Sequence, residues 1–170
     1  MDVRKAALKD LPYLKEMYRE IVGEMKSQGI DIWDEVYPSE FLGEDIEKER
    51  LYLLTEGEET VAAFALCEES GGENAVAWED GNASALYLYR LGVSPRFLRR
   101  GIGSAALEKA VRIAGKMGAK YLRLFVVDSN EPAVNLYLKN GFRRVEGVYE
   151  DKIVPGFTLK EHGFEIKTGV

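Results

Sequence analysis

Residues 84–116 constrain the fold of this chain more than any other stretch. Leucines and tyrosines alternate through residues 84–93, which predicts a strand, and Gly92 within it predicts a bulge or a close backbone approach. A turn containing Pro95 follows, and then Arg-Arg-Gly-Ile-Gly-Ser opens a segment whose apolar residues recur at helical spacing through Lys116. The sequence therefore predicts a strand and a helix joined by a glycine-rich turn.

That turn has the features of an anion-binding site. Glycines allow backbone N–H groups to approach an anion closely, and a helix N-terminus supplies unpaired donors and partial positive charge. Arg96, Arg99 and Arg100 add cationic groups. Taken alone, the glycines fit a ligand-free turn equally well. A Walker A loop is excluded because no Gly-Lys-Ser/Thr follows. A dinucleotide-binding fold is disfavoured because the sequence lacks the third glycine of that motif.

The remaining segments predict a mixed α/β fold of the α+β type. Asp10 is placed to cap a first helix that ends at Gly29, and Ser39 is placed to cap a second helix that extends to Arg50. Residues 70–83 predict a loop. Further strands are predicted at residues 1–7, 51–54, 61–66, 121–127, 142–149 and 157–167, with another helix between Asn130 and Asn140.

Composition limits the class of protein. A chain of 170 residues, 46% of them hydrophobic, is sized for one domain. Its single cysteine, Cys67, and its lack of a Cys/His cluster exclude an internal disulfide and a structural zinc site. The net charge of -6 argues against nucleic acid as a partner and mildly favours an amine. A charged N-terminal segment and the lack of a long apolar run predict a cytoplasmic protein without a membrane partner.

A second motif, SNEPAVNLYLKNGF, makes a family resemblance specific. It places Asn130, Ala133, Tyr137, Gly141 and Phe142 after the next predicted strand. Together with the arginine-rich Gly-x-Gly turn, this spacing resembles the acetyl-CoA site of GNAT-superfamily N-acetyltransferases. The resemblance covers residues 86–142. It implies a GNAT-like fold over residues 1–170, with helices around a mostly antiparallel central sheet that is splayed at the cofactor site.

The resemblance also implies roles for individual residues. The backbone of Leu91 and Val93 would contact the acetyl and pantetheine parts of acetyl-CoA, and Asn130 would contact the cofactor. The pyrophosphate would be cradled by Arg99, Arg100, Gly101, Ile102, Gly103 and Ser104. One departure is Leu98, which stands where the family usually has Gln or Arg.

Tyr137 is the candidate catalytic acid. Attack of an amine on a thioester expels a thiolate, which a nearby phenol can protonate. The alternative for Tyr137 is a packing role in the core, and Asn130 could act only as a helix N-cap. A general base is not identified, because residues 83–95 contain no Asp or Glu. Carboxylates that could act through water, or could be surface charges only, are Glu35, Glu79, Asp80 and Glu150.

Trp33, Glu35 and Tyr37 lie between the first two predicted helices, where the family has its acceptor-side loop. Aromatic rings and a carboxylate suit an amine, although Trp33 and Tyr37 could equally pin the loop to the core. Cys67 is interpreted as a buried apolar residue, and His162 receives no role.

We therefore expect an enzyme that transfers acetyl from acetyl-CoA to a primary amine by direct attack, without a metal. The acceptor would be a small molecule or a peptide. Two alternatives stay open, namely a transferase for a longer acyl-CoA and a non-catalytic acyl-CoA-binding regulatory domain. The resemblance is also compatible with a homodimer.

Overall fold

The computed structural model describes residues 1–170, which form four α-helices and ten strands. The chain divides into two compact units. The first unit contains Met1–Leu66 and Tyr89–Ala106, and the second contains Cys67–Leu88 and Leu107–Val170. Strand β5 (Ala85–Val93) begins in the second unit and ends in the first, and helix α3 (Ile102–Lys116) begins in the first and ends in the second.

The first unit contains three antiparallel strands in the order β1 (Asp2–Lys5), β2 (Leu51–Glu56) and β3 (Glu59–Cys67). Helices α1 (Leu11–Ser27) and α2 (Ser39–Glu47) precede β2 in the chain. Every residue of β3 after Glu59 is buried, which is the pattern of a strand covered on both faces. The apolar residues of α1 recur at helical spacing and are buried: Leu14, Met17, Tyr18, Ile21 and Val22.

Two predicted helix caps in this unit are wrong. Asp10 occupies the N-cap position of α1, but its carboxylate binds Arg4 at 2.8 Å and accepts the Ala7 N–H at 2.8 Å. Ser39 is the first residue of α2, and Pro38 precedes it at the N-cap position without a side-chain bond. Both helices form without a side-chain cap, so the buried apolar face is the larger source of their stability.

The second unit is built around the long strand β10 (Phe157–Lys167). It pairs in antiparallel fashion with β6 (Tyr121–Val127), β7 (Arg143–Arg144) and β9 (Tyr149–Val154). The start of β5 pairs with β6 in parallel, from Ala85↔Tyr121 to Tyr87↔Arg123. Helix α4 (Glu131–Lys139) follows β6. A mixed α/β fold with mostly antiparallel strands is thus confirmed.

The predicted loop at residues 70–83 is more ordered than the sequence indicated. It contains strand β4 (Val76–Ala77), which pairs with β8 (Glu146–Gly147). Gly72 lies so close to two aromatic rings that a Cβ there would sit 2.6 Å from Tyr149 and 2.8 Å from Phe125. The glycine is therefore required by packing rather than by a turn.

The register of the second unit divides its side chains between two sheet faces. One face of the sheet carries Arg123, Phe125 and Glu161. Side chains alternate along a strand, and Glu161 is paired with Val127, which lies two residues beyond Phe125; directly paired residues point the same way. Leu124 and Phe164 lie on the opposite face. None of the four helices combines the length and the apolar character needed to cross a membrane.

Candidate active site

Strand β5 is irregular where it enters the first unit. Arg90 has a φ of 54°, in the left-handed region that residues with a Cβ rarely adopt. The sequence predicted a bulge or a close backbone approach at Gly92, and the structure shows the close approach. A Cβ on Gly92 would lie 2.7 Å from Ile21 Cδ1 and 3.0 Å from Tyr18 Cε1.

Leu91 and Val93 are half-buried in this irregular segment. Beyond it, the Ser94 N–H donates to Val61 O at 2.9 Å, which ties the end of β5 to β3. A single turn of 3-10 helix, Pro95–Phe97, then leads to the glycine-rich turn, and Phe97 is buried beneath it. Leu91 and Val93 thus lie between two anchored points of the backbone.

The glycine-rich turn has the backbone geometry that an anion site needs. Arg99 and Gly101 both have left-handed φ values, 62° and 74°. The Ala105 N–H donates to Gly101 O at 3.1 Å, which starts the hydrogen-bond ladder of α3. The N–H groups of Ile102 and Gly103 lie before Ala105 in the first turn of the helix, where no carbonyl of the helix is available to accept a hydrogen bond from them. They form the positive end of the helix.

The three arginines near this turn differ in their contacts. Arg96 donates to the Tyr13 hydroxyl at 3.0 Å, and Arg100 pairs with Glu56 at 3.0 Å. Arg99 is exposed and forms no ion pair or hydrogen bond. Its guanidinium is therefore the cation at the turn that has no protein partner. Leu98 adds only an exposed apolar side chain.

In the second unit, Asn130 is the N-cap of α4. Its side-chain oxygen accepts the Ala133 N–H at 3.4 Å, and Pro132 lies in the first turn. The predicted cap is therefore present. The Asn130 amide nitrogen makes no hydrogen bond, so the cap leaves a donor available.

Tyr137 lies on the buried side of α4, with its ring 5.8 Å from Phe142 and 6.2 Å from Phe164 between centroids. Its hydroxyl forms no hydrogen bond. Burial of the ring raises the pKa of Tyr137 well above its usual value, which keeps the phenol protonated at neutral pH.

The structure brings two of the three predicted acceptor residues together. The Trp33 ring packs 6.3 Å from Tyr37 and 5.9 Å from Tyr18. Glu35 instead points outward, with its side chain 74% exposed, and binds Lys26 Nζ at 3.0 Å. It lines an open surface cleft of about 260 Å³ that Lys15 and other charged residues share. The Lys26 ammonium holds the pKa of Glu35 below its usual value.

The four candidate carboxylates are all exposed. Glu79 accepts a hydrogen bond from the Tyr121 hydroxyl at 2.9 Å, and this bond and nearby Lys167 lower its pKa. A lowered pKa makes a carboxylate a weaker proton acceptor. The exposed position of Glu79, Asp80 and Glu150 matches the surface-charge alternative.

Glu161 was not predicted from the sequence as a candidate site residue. Burial raises the pKa of this carboxyl to about 7, and the negative charge of Asp151 adds to the rise. The register sets Glu161 opposite Tyr149 on β9 and opposite Val127 at the end of β6. Asp151 lies two residues beyond Tyr149 and therefore on the same face. No local pattern reveals this pair, because it depends on the hairpin register.

His162 and Cys67 occupy structural positions. Arg144 Nη2 lies 2.8 Å from His162 Nδ1, and because arginine can only donate, that nitrogen must accept. The other ring nitrogen, Nε2, lies 3.4 Å from Asp128 Oδ2. Cys67 is buried at the end of β3.

The chain belongs to the acetyltransferase (GNAT) family, whose sequence model matches residues 14–142. The matched range includes the irregular end of β5, the glycine-rich turn and Tyr137. The family resemblance is thereby confirmed, and it places the chain in the class of acyl-CoA-dependent N-acetyltransferases.

Individual relatives agree with this family. An uncharacterized N-acetyltransferase from Methanocaldococcus jannaschii is 36% identical over 61 residues, a match that covers 36% of this chain and only 27% of that protein. A GNAT-family acetyltransferase structure from Streptococcus agalactiae 2603 has a TM-score of 0.82 at 17% identity, covering 98% of this chain and 94% of that one. The yncA structure from Salmonella typhimurium, solved with its cofactor acetyl-CoA, has a TM-score of 0.65 at 13% identity and covers 98% and 93%. At such identities, the two structures establish the fold.

Proposed function

We propose that this protein transfers the acetyl group of acetyl-CoA to a primary amine on a small molecule or a peptide. The observation that carries the proposal is the turn before α3, where Arg99 and Gly101 are left-handed and the Arg99 guanidinium has no protein partner. A diphosphate is the anion that such a turn suits. Membership of the GNAT family and the bound acetyl-CoA of the yncA structure support the same donor.

The donor-binding residues follow from the family motif. In this proposal the pyrophosphate accepts hydrogen bonds from the turn formed by Arg99, Arg100, Gly101, Ile102, Gly103 and Ser104. The backbone of Leu91 and Val93 binds the acetyl and pantetheine parts, and the Asn130 amide nitrogen donates to the cofactor. The whole chain, residues 1–170, would act as one acetyltransferase domain, since the matched range includes parts of both units. Cytoplasmic location and homodimer formation stay predictions.

The proposed chemistry is direct attack. The neutral amine nitrogen forms a bond to the thioester carbonyl carbon, the carbon–sulfur bond breaks, and the sulfur leaves as a thiolate. Tyr137 then donates its phenolic proton to that thiolate. The hydroxyl carries its proton at neutral pH and makes no competing hydrogen bond within the protein, and its raised pKa makes it a weaker acid than a free tyrosine. No metal takes part in these steps.

The nitrogen must also lose a proton. We propose Glu161 as the group that accepts it, because a carboxyl with a pKa of about 7 is matched to proton transfer at neutral pH. Glu161 lies on the face of the sheet opposite Phe164, the residue against which the Tyr137 ring packs, so the proposed acid and the proposed acceptor would act from opposite faces. Asp151 would tune the acceptor through its negative charge.

Trp33 and Tyr37 are proposed to face the acceptor amine through their rings, with Glu35 as a charge at the margin. A longer acyl donor and a non-catalytic acyl-CoA-binding role are the rival functions. An amine panel with thiol release as the readout separates them. Binding of acetyl-CoA without turnover on any amine would favour the binding role.

Calorimetry with CoA tests the donor site. Gly103→Asp should abolish CoA binding, because it places a carboxylate at the helix N-terminus where the diphosphate would bind. Gly81→Asp is the matched control, since Gly81 is exposed, has no atom within 4 Å of a built Cβ and lies outside the site. A Gly103→Asp protein that binds CoA as tightly as the parent would show that the turn is not the phosphate site.

A further inference from the structure

Arg90 holds an unfavourable backbone conformation in the interior of the first unit. Three residues other than glycine have left-handed φ values, namely Glu49, Arg90 and Arg99. Only Arg90 among them lies within a strand and is buried. A Cβ makes this conformation costly, so surrounding contacts must impose it.

The side chain of Arg90 is fixed by a two-point ion pair. Its Nε lies 2.7 Å from Asp45 Oδ2, and its Nη2 lies 2.9 Å from Asp45 Oδ1. The guanidinium also sits 5.1 Å from the centre of the Phe41 ring. This fork geometry orients the arginine as well as attracting it, which a lysine could not reproduce.

Asp45 is itself immobilised. It is fully buried on α2, and Arg50 Nε binds its Oδ1 at 2.7 Å. The Arg50 N–H also donates to the backbone oxygen of Asp45 at 3.0 Å. Arg90 is therefore tied to a rigid point on the helix.

The backbone on either side of Leu91 is held by Tyr18. This fully buried tyrosine of α1 donates its hydroxyl to Arg90 O at 2.5 Å. Its ring also packs against Gly92, where a Cβ would lie 3.0 Å from Cε1. One residue thus fixes the chain both before and after Leu91.

Stability alone is a poor reason for this arrangement. Burying a carboxylate and a guanidinium has a large desolvation cost, and apolar residues of similar volume often replace such a pair without loss. The arrangement also maintains a disfavoured φ value. What it achieves is a fixed path for the backbone at Leu91 and Val93.

We propose that Arg90 is a positioning residue for acetyl transfer, and that Asp45 and Tyr18 act through it. Together they hold the left-handed backbone of β5 at Arg90 so that the backbone of Leu91 and Val93 meets the acetyl and pantetheine parts of the donor. The inference rests on the proposed function, and it assigns these three residues to the acyl end of the donor rather than to its nucleotide end.

That distinction defines the experiment. Arg90→Met keeps a long side chain but cannot bind Asp45, and Tyr18→Phe removes only the hydroxyl. Two ligands are titrated by calorimetry, acetyl-CoA and the 3′-phospho-ADP portion of CoA, which lacks pantetheine. kcat is measured with an amine that the parent acetylates. Arg112→Met and Tyr121→Phe are the matched controls, because each removes a hydrogen bond in the second unit.

We expect Arg90→Met to lower kcat by about a hundredfold, the order of loss that small misplacement of a reacting group causes. Tyr18→Phe should lower it by about tenfold, as for the loss of one hydrogen bond. Both variants should bind acetyl-CoA more weakly and 3′-phospho-ADP as the parent does. Should Arg90→Met not fold, Tyr18→Phe still gives the comparison.

A kcat equal to that of the parent in both variants would overturn the inference. An equal loss of affinity for acetyl-CoA and 3′-phospho-ADP would also overturn it, because such a loss indicates general damage to the fold. The proposed function has a separate readout. A parent protein that binds acetyl-CoA but acetylates no amine would refute catalysis, and the affinity comparison would still decide the role of Arg90.

Discussion

Arg123 and Glu165 form an ion pair inside the second unit, with Arg123 Nε 3.3 Å from Glu165 Oε1 and side chains only 3% and 2% exposed. The same carboxylate accepts the Glu79 N–H at 2.8 Å. Arg123 donates to Asp80 O at 2.7 Å and lies over the Trp78 ring at 4.6 Å. The pair therefore fixes the end of residues 70–83 against the sheet.

Breaking this pair should destabilise the protein strongly. Glu165→Gln leaves Arg123 buried without its counter-charge, which is expected to lower the free energy of unfolding by about 3–5 kcal/mol. Urea denaturation measures this change. Glu108→Gln is the control, because its pair with Arg112 is exposed and should be worth about 0.5 kcal/mol or less. Similar losses in the two variants would contradict the importance of burial.

Local signals predicted most of the elements well. The predicted strands at residues 121–127 and 157–167 match β6 and β10 because continuous apolar or alternating residues mark them. The order within residues 70–83, which were predicted to be a loop, was missed because the contact that orders them is distant in the chain. Glu165 lies 86 positions from Glu79. A pattern confined to neighbouring residues cannot report such a partner.

The candidate site was predictable to a similar degree. The motifs located the glycine-rich turn, Asn130 and Tyr137. They could not locate the left-handed backbone at Arg90, since its φ depends on contacts with Asp45 and Tyr18 far away in the chain. Nor could they identify Glu161, whose raised pKa depends on its burial and on Asp151 across the hairpin.

Gly92→Ala should destabilise the first unit by steric conflict. The new Cβ would lie 2.7 Å from Ile21 Cδ1 and 3.0 Å from Tyr18 Cε1, and overpacking of this kind costs about 1–3 kcal/mol. Ile21→Val removes the nearer atom, so the double variant should regain part of the lost stability. Thermal unfolding of the two single variants and the double variant measures this coupling. Strictly additive losses would mean that Ile21 is not the obstacle.

Glu161 should give stability and activity opposite pH dependences. Because its pKa is raised in the folded state, the native protein holds this proton more tightly than the unfolded chain. Its contribution to stability is therefore lost as pH rises from the ordinary carboxyl range to about 7. Activity should rise over the upper part of that range, because a proton acceptor must be ionised.

Asp151→Asn removes one cause of the raised pKa, so the acidic limb of kcat/KM should move to lower pH. Glu161→Gln should lower kcat and remove the limb, whereas Glu150→Gln, an exposed neighbour on β9, should leave it in place. A profile that is the same in the parent and Glu161→Gln would eliminate Glu161 as the acceptor.

Glu35→Gln tests the acceptor side. Because Glu35 is exposed and paired with Lys26, its removal should raise the KM for the amine only a few-fold and leave the KM for acetyl-CoA unchanged. Glu40→Gln is the control, since it is an exposed carboxylate that lines the same surface cleft. An equal effect on both substrates, or none on either, would argue against a role for Glu35 in acceptor binding.

Tyr137→Phe separates catalysis from packing at the proposed acid. The substitution keeps the ring contacts with Phe142 and Phe164 and removes a hydroxyl that forms no hydrogen bond. Stability and CoA affinity should therefore be preserved. General acid catalysis typically accelerates a reaction by about a hundredfold to ten-thousandfold. The loss in kcat should therefore lie in or somewhat below that range, and it should be smaller if water protonates the thiolate. The loss should be greatest with acceptors for which thiolate expulsion limits the rate. A core role predicts the reverse pattern, with kcat intact and only the melting temperature changed. Measuring both quantities on one preparation decides between the roles, and an unchanged kcat would remove Tyr137 from the mechanism.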